Sequence, residues 1–181
     1  LFEADGEFMS LLPEKVNLLK CDENYLIFQN NFKVAGLNFL QKQDFRRSYH
    51  SIMWLIKCAF IKIFTKKEYI GWGHLRYVFS NIDQKYDVAV GFLEKKSIYY
   101  TIDKVKAERK IGFIHNDYSR IPHDLKLDMR YFEKLYCIPT VSEHCKDVLN
   151  EYFPYRNKFT VIKNMVPTDV IRNMALEPIN Y

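Results

Sequence analysis

The stretch KIGFIHNDYS, residues 110–119, changes character at its midpoint. Residues 110–115 form a short apolar run, and His115, Asn116, Asp117 and Tyr118 then follow in succession. A short run rich in Ile and Phe reads as a buried strand. A polar cluster at its C-terminal end reads as the place where a parallel sheet meets a ligand.

Three other stretches repeat the pattern: YDVAVGF (86–92), YCIPTVS (136–142) and FTVIKN (159–164). Each predicts a buried strand. Helical patterns lie between them. Ile98, Ile102 and Val105 share a face after Ser97 as N-cap. Leu125, Met129 and Phe132 share another, with Pro122 near the first turn. Cys145, Val148, Leu149 and Tyr152 share a third, after Ser142 as N-cap. Strands recurring every 20–25 residues or so fit right-handed crossovers. The expected fold class is α/β, a Rossmann-like parallel sheet flanked by helices that cover both faces.

The first third is less regular. VNLLK (16–20) and YLIFQ (25–29) read as strands. Residues 45–67 read as a helix, with Ile52, Leu55, Ile56, Ala59, Phe60 and Ile63 at helical spacing. Lys57 and Lys62 make it too short and too charged to span a bilayer. Two readings stay open. One is a core helix with solvated basic ends. The other is a helix lying on an anionic membrane surface, because basic residues flank Trp54 and many aliphatic side chains.

The totals exclude several classes. A chain of 181 residues suits one domain with a sizeable core. Apolar content of 48% with 27% charged residues excludes disorder. The net charge of +5 permits affinity for phosphates or anionic headgroups. No block of like charges resembles a nucleic-acid arm, so no nucleic-acid partner is expected. Cys21, Cys58, Cys137 and Cys145 are scattered, without CxxC or zinc spacing. They read as reduced thiols of a cytoplasmic protein. GxGxxG, the Walker loop and GxSxG are all missing from the sequence.

Chemistry is therefore expected at the strand ends. They carry His115 to Tyr118, then Ser142, Glu143 and His144, then Lys163 and Asn164. Each has a structural alternative. His115 could cap a strand as a satisfied histidine, and Asp117 with Tyr118 could form a turn. Ser142 reads as an N-cap with Glu143 complementing the helix dipole, and His144 as a surface residue. His115, Asp117 and Ser119 lie too close in sequence to orient one another as a hydrolytic triad.

Three stretches together resemble glycosyltransferase family 4, in its bacterial polysaccharide-assembly branch. They are YDVAVGFLEKKSIYYTIDKVKAERKIGFIHNDY, YCIPTVSEHCKDVLNEYFP and KFTVIKNMVPTDVIRNMA, in the family's order and spacing. The resemblance covers residues 86–176, and DGEFMSLLPEKVNLL (5–19) is a weaker match to an earlier segment. It implies a two-domain GT-B enzyme with its active site in the cleft. Residues 1–166 would form the N-terminal acceptor-side domain, and 167–181 the start of the interdomain linker. The family's first strand and Gly-rich loop would precede Leu1, and its donor domain would follow Tyr181. This stretch by itself is then expected to be inactive.

By position, the resemblance implies that His115 reaches the donor sugar as the catalytic residue. It places Asp117 and Tyr118 on the acceptor side, Ser142 and Glu143 at the cleft, and Asn164 in the linker. The implied reaction moves a sugar from a nucleotide-sugar donor to a saccharide or lipid-linked saccharide acceptor, with retention and with no metal in the site. The implied location is cytoplasmic, peripheral on the inner face of the membrane through residues 45–67. Two alternatives remain: another GT-B enzyme such as a sugar epimerase or phosphorylase, and a non-catalytic Rossmann-like module that binds a ligand or membrane.

Overall fold

The computed structural model describes residues 12–19, 22–65, 71–165 and 168–176. The chain is mixed α/β. Helices α1 (Glu23–Asn30), α2 (Ala35–Gln41), α3 (Phe45–Thr65) and α4 (Trp72–Leu75) come first. Strands and helices then alternate: β1 (Ile82–Gly91), α5 (Lys96–Lys104), β2 (Val105–Gly112), α6 (Leu125–Phe132), β3 (Ile138–Thr140), α7 (Glu143–Tyr152) and β4 (Phe159–Val161). Helix α8 (Thr168–Ala175) follows.

The strands form two parallel ladders, β1 with β2 and β3 with β4. Isolated parallel bridges, Ile111 with Cys137 and Ile114 with Thr140, link the ladders. Backbone bonds from Ile114 N to Pro139 O (2.9 Å) and from Tyr136 N to Lys110 O (2.8 Å) cross the same seam. All four strands therefore run the same way, and their C-terminal ends face one edge.

The core packs against one face of β1 and surrounds β3, all three of whose residues are buried. Ile98 of α5, Leu135, Ile138, Leu149, Phe153 and Phe159 are buried there. A methyl group at Gly91 would stand 2.8 Å from Ile98 Cα and 2.9 Å from Ser97 O. Glycine is thus what lets α5 approach the strand end. Asp128 is buried between two phenols, accepting from Tyr118 OH at 2.5 Å and from Tyr99 OH. Burial pushes its carboxyl above the ordinary range, against the lowering pull of the two hydroxyls.

Several expectations need correction. Cover on both sheet faces, as expected, holds at β3, where Ile138, Pro139 and Thr140 are all buried, but not at β1. Successive strand residues point to opposite faces, and only the Ala89 and Gly91 side of β1 meets α5. Val88 and Val90, on the other face, are 47% and 49% exposed. YLIFQ lies in helix α1 rather than in a strand, because Asp22 caps the helix, accepting from Asn24 N at 2.9 Å and Tyr25 N at 3.4 Å. Residues 16–19 form no strand; Val16 N closes a turn onto Pro13 O. Val105 opens β2 instead of continuing α5. The cap position of α5 is Lys95, with φ at 63°, not Ser97.

Helix α3 exists as expected but packs through an unexpected face. Among the described residues its buried side chains are Ser48 and Ser51, and Ser48 Oγ donates to Gly36 O at 2.8 Å. Small residues at this crossing let α2 and α3 approach closely. Ile52 lies at the same crossing, against Gly36, while the rest of the stripe points away: Ile56 is 55% and Phe60 61% exposed, with Phe45 and Tyr49 beside them. No helix among the described residues is long and apolar enough to cross a membrane.

Candidate functional site

Parallel strands bring the loops after β1, β2, β3 and β4 to a single edge. The loop after β1 carries Glu94. Its carboxylate accepts from His115 N at 3.3 Å and from the Asn116 side-chain amide. It thereby ties the β1 loop to the end of β2. The next residue, Lys95, holds the positive φ already noted, a conformation that a bulky side chain adopts at a cost.

His115 is fixed by aromatic rings. It stacks on Phe113, with centroids 4.3 Å apart and planes at 17°, and leans on Phe92 at 4.7 Å. Its Nε2 is shielded from solvent and has no hydrogen-bond partner among the described residues. A buried polar atom left in this state costs stability unless something meets it.

Asp117 begins a short 3-10 turn, Tyr118–Arg120, and caps it: Ser119 N donates to Oδ1 at 3.0 Å and Ser119 Oγ at 2.7 Å. On its other oxygen stand Arg120 Nε and His144 Nε2, each at 3.3 Å. The Ser119 hydroxyl holds the Asp117 carboxyl below the ordinary range. Slight desolvation opposes this, and Ser119 N–H and His144 add to it. His144 comes from the first turn of α7, so the loops after β2 and β3 meet at this pair.

Ser142 is the N-cap of α7, its Oγ accepting from Cys145 N at 3.2 Å. Glu143 follows in the first turn, exposed, with Lys146 Nζ at 3.7 Å. Asn164 is exposed in the loop after β4. Tyr118, expected to line the acceptor side, is only 2% exposed. It turns into the core because its hydroxyl is given to Asp128. The structure thus gathers His115, Asp117, Ser142 and Glu143 on one edge, sets Asn164 on the same edge, and removes Tyr118 from it.

One residue, Glu94, escaped the sequence reading, and His144 was named there without its partner. Glu94 follows the end of β1 as Asp117 follows the end of β2, and that equivalent place was its available signal. His144 is the surface residue the sequence suggests, 71% exposed, and only the approach of two loops makes it a partner of Asp117. The edge now presents three carboxylates and two imidazoles, a set suited to exchanging hydrogen bonds with a hydroxyl-rich ligand. Among the described residues, no group of three or more His, Cys, Asp or Glu could hold a metal ion. No protein-family model, curated protein or solved structure matches this chain.

Proposed function

We propose that the chain is the Rossmann-like, acceptor-side part of a GT-B glycosyltransferase. It would act in cell-surface polysaccharide assembly, moving a sugar from a nucleotide-sugar to a saccharide or lipid-linked saccharide. The observation that supports this most is His115. It sits at the C-terminal edge of parallel strands, the usual ligand edge of such sheets. Its Nε2 is shielded and lacks a partner among the described residues.

In this reading His115 gives or accepts a hydrogen bond at a hydroxyl of the donor sugar. It also stabilises charge that develops as the glycosidic bond to the nucleotide breaks. Asp117, ordered by Ser119, and the α7 start at Ser142 and Glu143 orient the acceptor. A second domain closing over this edge would exclude water, which competes for the activated sugar. Asn164 would lie where the chain passes to that domain. The transfer would be retaining and metal-free.

The same reading places the protein in the cytoplasm, on the inner membrane face. Helix α3 supports it, with Phe45, Tyr49, Ile56 and Phe60 exposed along one stripe and Arg46 and Lys57 exposed beside it. An apolar stripe edged by cations suits an anionic lipid surface. Co-sedimentation with anionic vesicles at low salt should fall sharply when Ile56 and Phe60 are both replaced by Gln. Unchanged sedimentation would end the membrane reading.

The activity test is His115→Ala in the full-length enzyme. Turnover should fall about a hundredfold or more, with the circular dichroism spectrum unchanged. Normal turnover would remove His115 from its role. Product analysis decides the reaction class: a new glycosidic bond supports the transferase, and a free epimer or a sugar phosphate replaces it with an epimerase or phosphorylase.

A further inference from the structure

A polar cavity lies at the other end of the strands. It occupies about 530 Å³ where the start of α3, the turn after α4 and the entry to β1 meet the end of α5. Strand β1 has ten residues, which separates the two ends by about 30 Å. The lining brings together Arg46, Arg47, Arg76 and Lys104, with Ser80 and Asn81 among them.

The carboxylates of this region are already engaged. Asp103 accepts from Trp72 Nε1 at 2.8 Å and Tyr131 OH at 2.6 Å, and faces Arg76 at 3.3 Å. Asp83 pairs with Lys106 at 3.2 Å. Asp44 pairs with Arg47, whose Nε also donates to Val78 O at 3.0 Å. Two cations are left over. Among the described residues Lys104 Nζ donates to neutral oxygens only, Phe79 O at 2.9 Å and Asn81 Oδ1 at 3.2 Å. Arg46 lies over the Tyr77 ring, 4.9 Å from its centroid. Neither has a carboxylate within ion-pair distance among the described residues.

Holding these cations together is unfavourable without an anion. Burial first, and then the charge of Arg76, with Arg46 and Arg47 behind it, press the Lys104 ammonium below its ordinary range, against the pull of Asp103. The donors differ in kind: a guanidinium fork, an ammonium and the Ser80 hydroxyl. A phosphate group, with more oxygens and more charge than a carboxylate, can give each of the three donors an oxygen of its own.

We propose that this cavity is a second binding site, for a phosphate monoester or diphosphate group carried by a soluble molecule or by a lipid headgroup. It stands apart from the His115 edge and does not depend on the glycosyltransferase reading.

The test titrates inorganic pyrophosphate into the full chain by calorimetry. Saturable binding is expected, weakened about tenfold or more by Arg46→Gln, and further by Arg46→Gln with Lys104→Gln. The single variant keeps the test valid if loss of the Lys104 bonds unfolds the chain, because Arg46 is exposed. Pyrophosphate binding should be untouched by His115→Ala. Phosphatidylcholine vesicles with and without phosphatidic acid then separate the sources. Displacement of pyrophosphate only by the acidic vesicles supports a headgroup ligand, and no displacement supports a soluble one. Failure to bind, affinity unchanged in Arg46→Gln, or affinity lost in His115→Ala would overturn the proposal.

Discussion

The Asp117 carboxylate and His144 Nε2 stand 3.3 Å apart across 27 residues of sequence. That contact joins the loops after β2 and β3 at the candidate site. The Ser119 hydroxyl has the larger hold on Asp117, and His144 the smaller. Carbon-detected NMR of Asp117 should therefore show a midpoint below 3.8 that rises more in Ser119→Ala than in His144→Ala. A larger rise in His144→Ala would make the cross-loop pair the dominant contact. Because the folded value is depressed, the stability Asp117 contributes is present above 3.8 and is lost as pH falls through the folded value.

Asp128 behaves in the opposite sense. Its folded value is raised, so its contribution is full below 3.8 and declines as pH rises through the folded value. Urea unfolding of Asp128→Asn should show a flatter dependence on pH over that window than the parent. Asp128→Ala leaves the Tyr99 and Tyr118 hydroxyls unpaired in the core and should cost about 2–4 kcal/mol. A loss below about 0.5 kcal/mol would mean that water replaces the carboxylate.

Gly91 has no room for a side chain, and the atoms it would strike are backbone atoms of Ser97 and Ile98. Gly91→Ala should cost about 1–3 kcal/mol. Amide shifts should concentrate at the start of α5 and at Glu94. Gly73, with nothing within 4 Å of an added methyl, is the control and should tolerate Ala.

His50 and His74 face each other, Nδ1 to Nδ1 at 3.1 Å, where α3 meets α4. His50 also stacks on Tyr77 at 4.1 Å. Burial lowers both imidazoles below 6.5; His74 and Arg46 press further on His50, and Lys57 on His74. Their folded values are depressed, so the stability they contribute is present above 6.5 and is lost as pH falls through the folded values. Amide exchange in α4 should accelerate on acidification, and His50→Asn should blunt the change. Exchange independent of pH, after correction for its intrinsic rate, would contradict this.

Local patterning determined much of the second half of the chain. The apolar runs at 86–92, 110–115, 136–142 and 159–164 each contain strand, in parallel, with α5, α6 and α7 between them. Ser142 caps α7 as its position before an amphipathic run requires. The polar residues at the strand ends were legible for the same reason: parallel strands put their C-terminal ends on one edge.

The tertiary structure decided what periodicity could not carry. A short apolar run such as YLIFQ fits helix or strand, and Asp22, bonded also to Ser80 N, settled it as helix. The apolar spacing of α3 implied a helix but not its buried side; contact with Gly36 turned Ser48, Ser51 and Ile52 toward α2 and left Tyr49, Ile56 and Phe60 outward. Tyr118 left the site because a buried carboxylate ten residues on needed its hydroxyl. Glu94 with His115, Asp117 with His144, and the four cations around Ser80 all meet across long sequence separations. Spacing along a chain reports neighbours within a helix or strand. Which faces and loops meet depends on packing between distant segments, and that packing gave both candidate sites their chemistry.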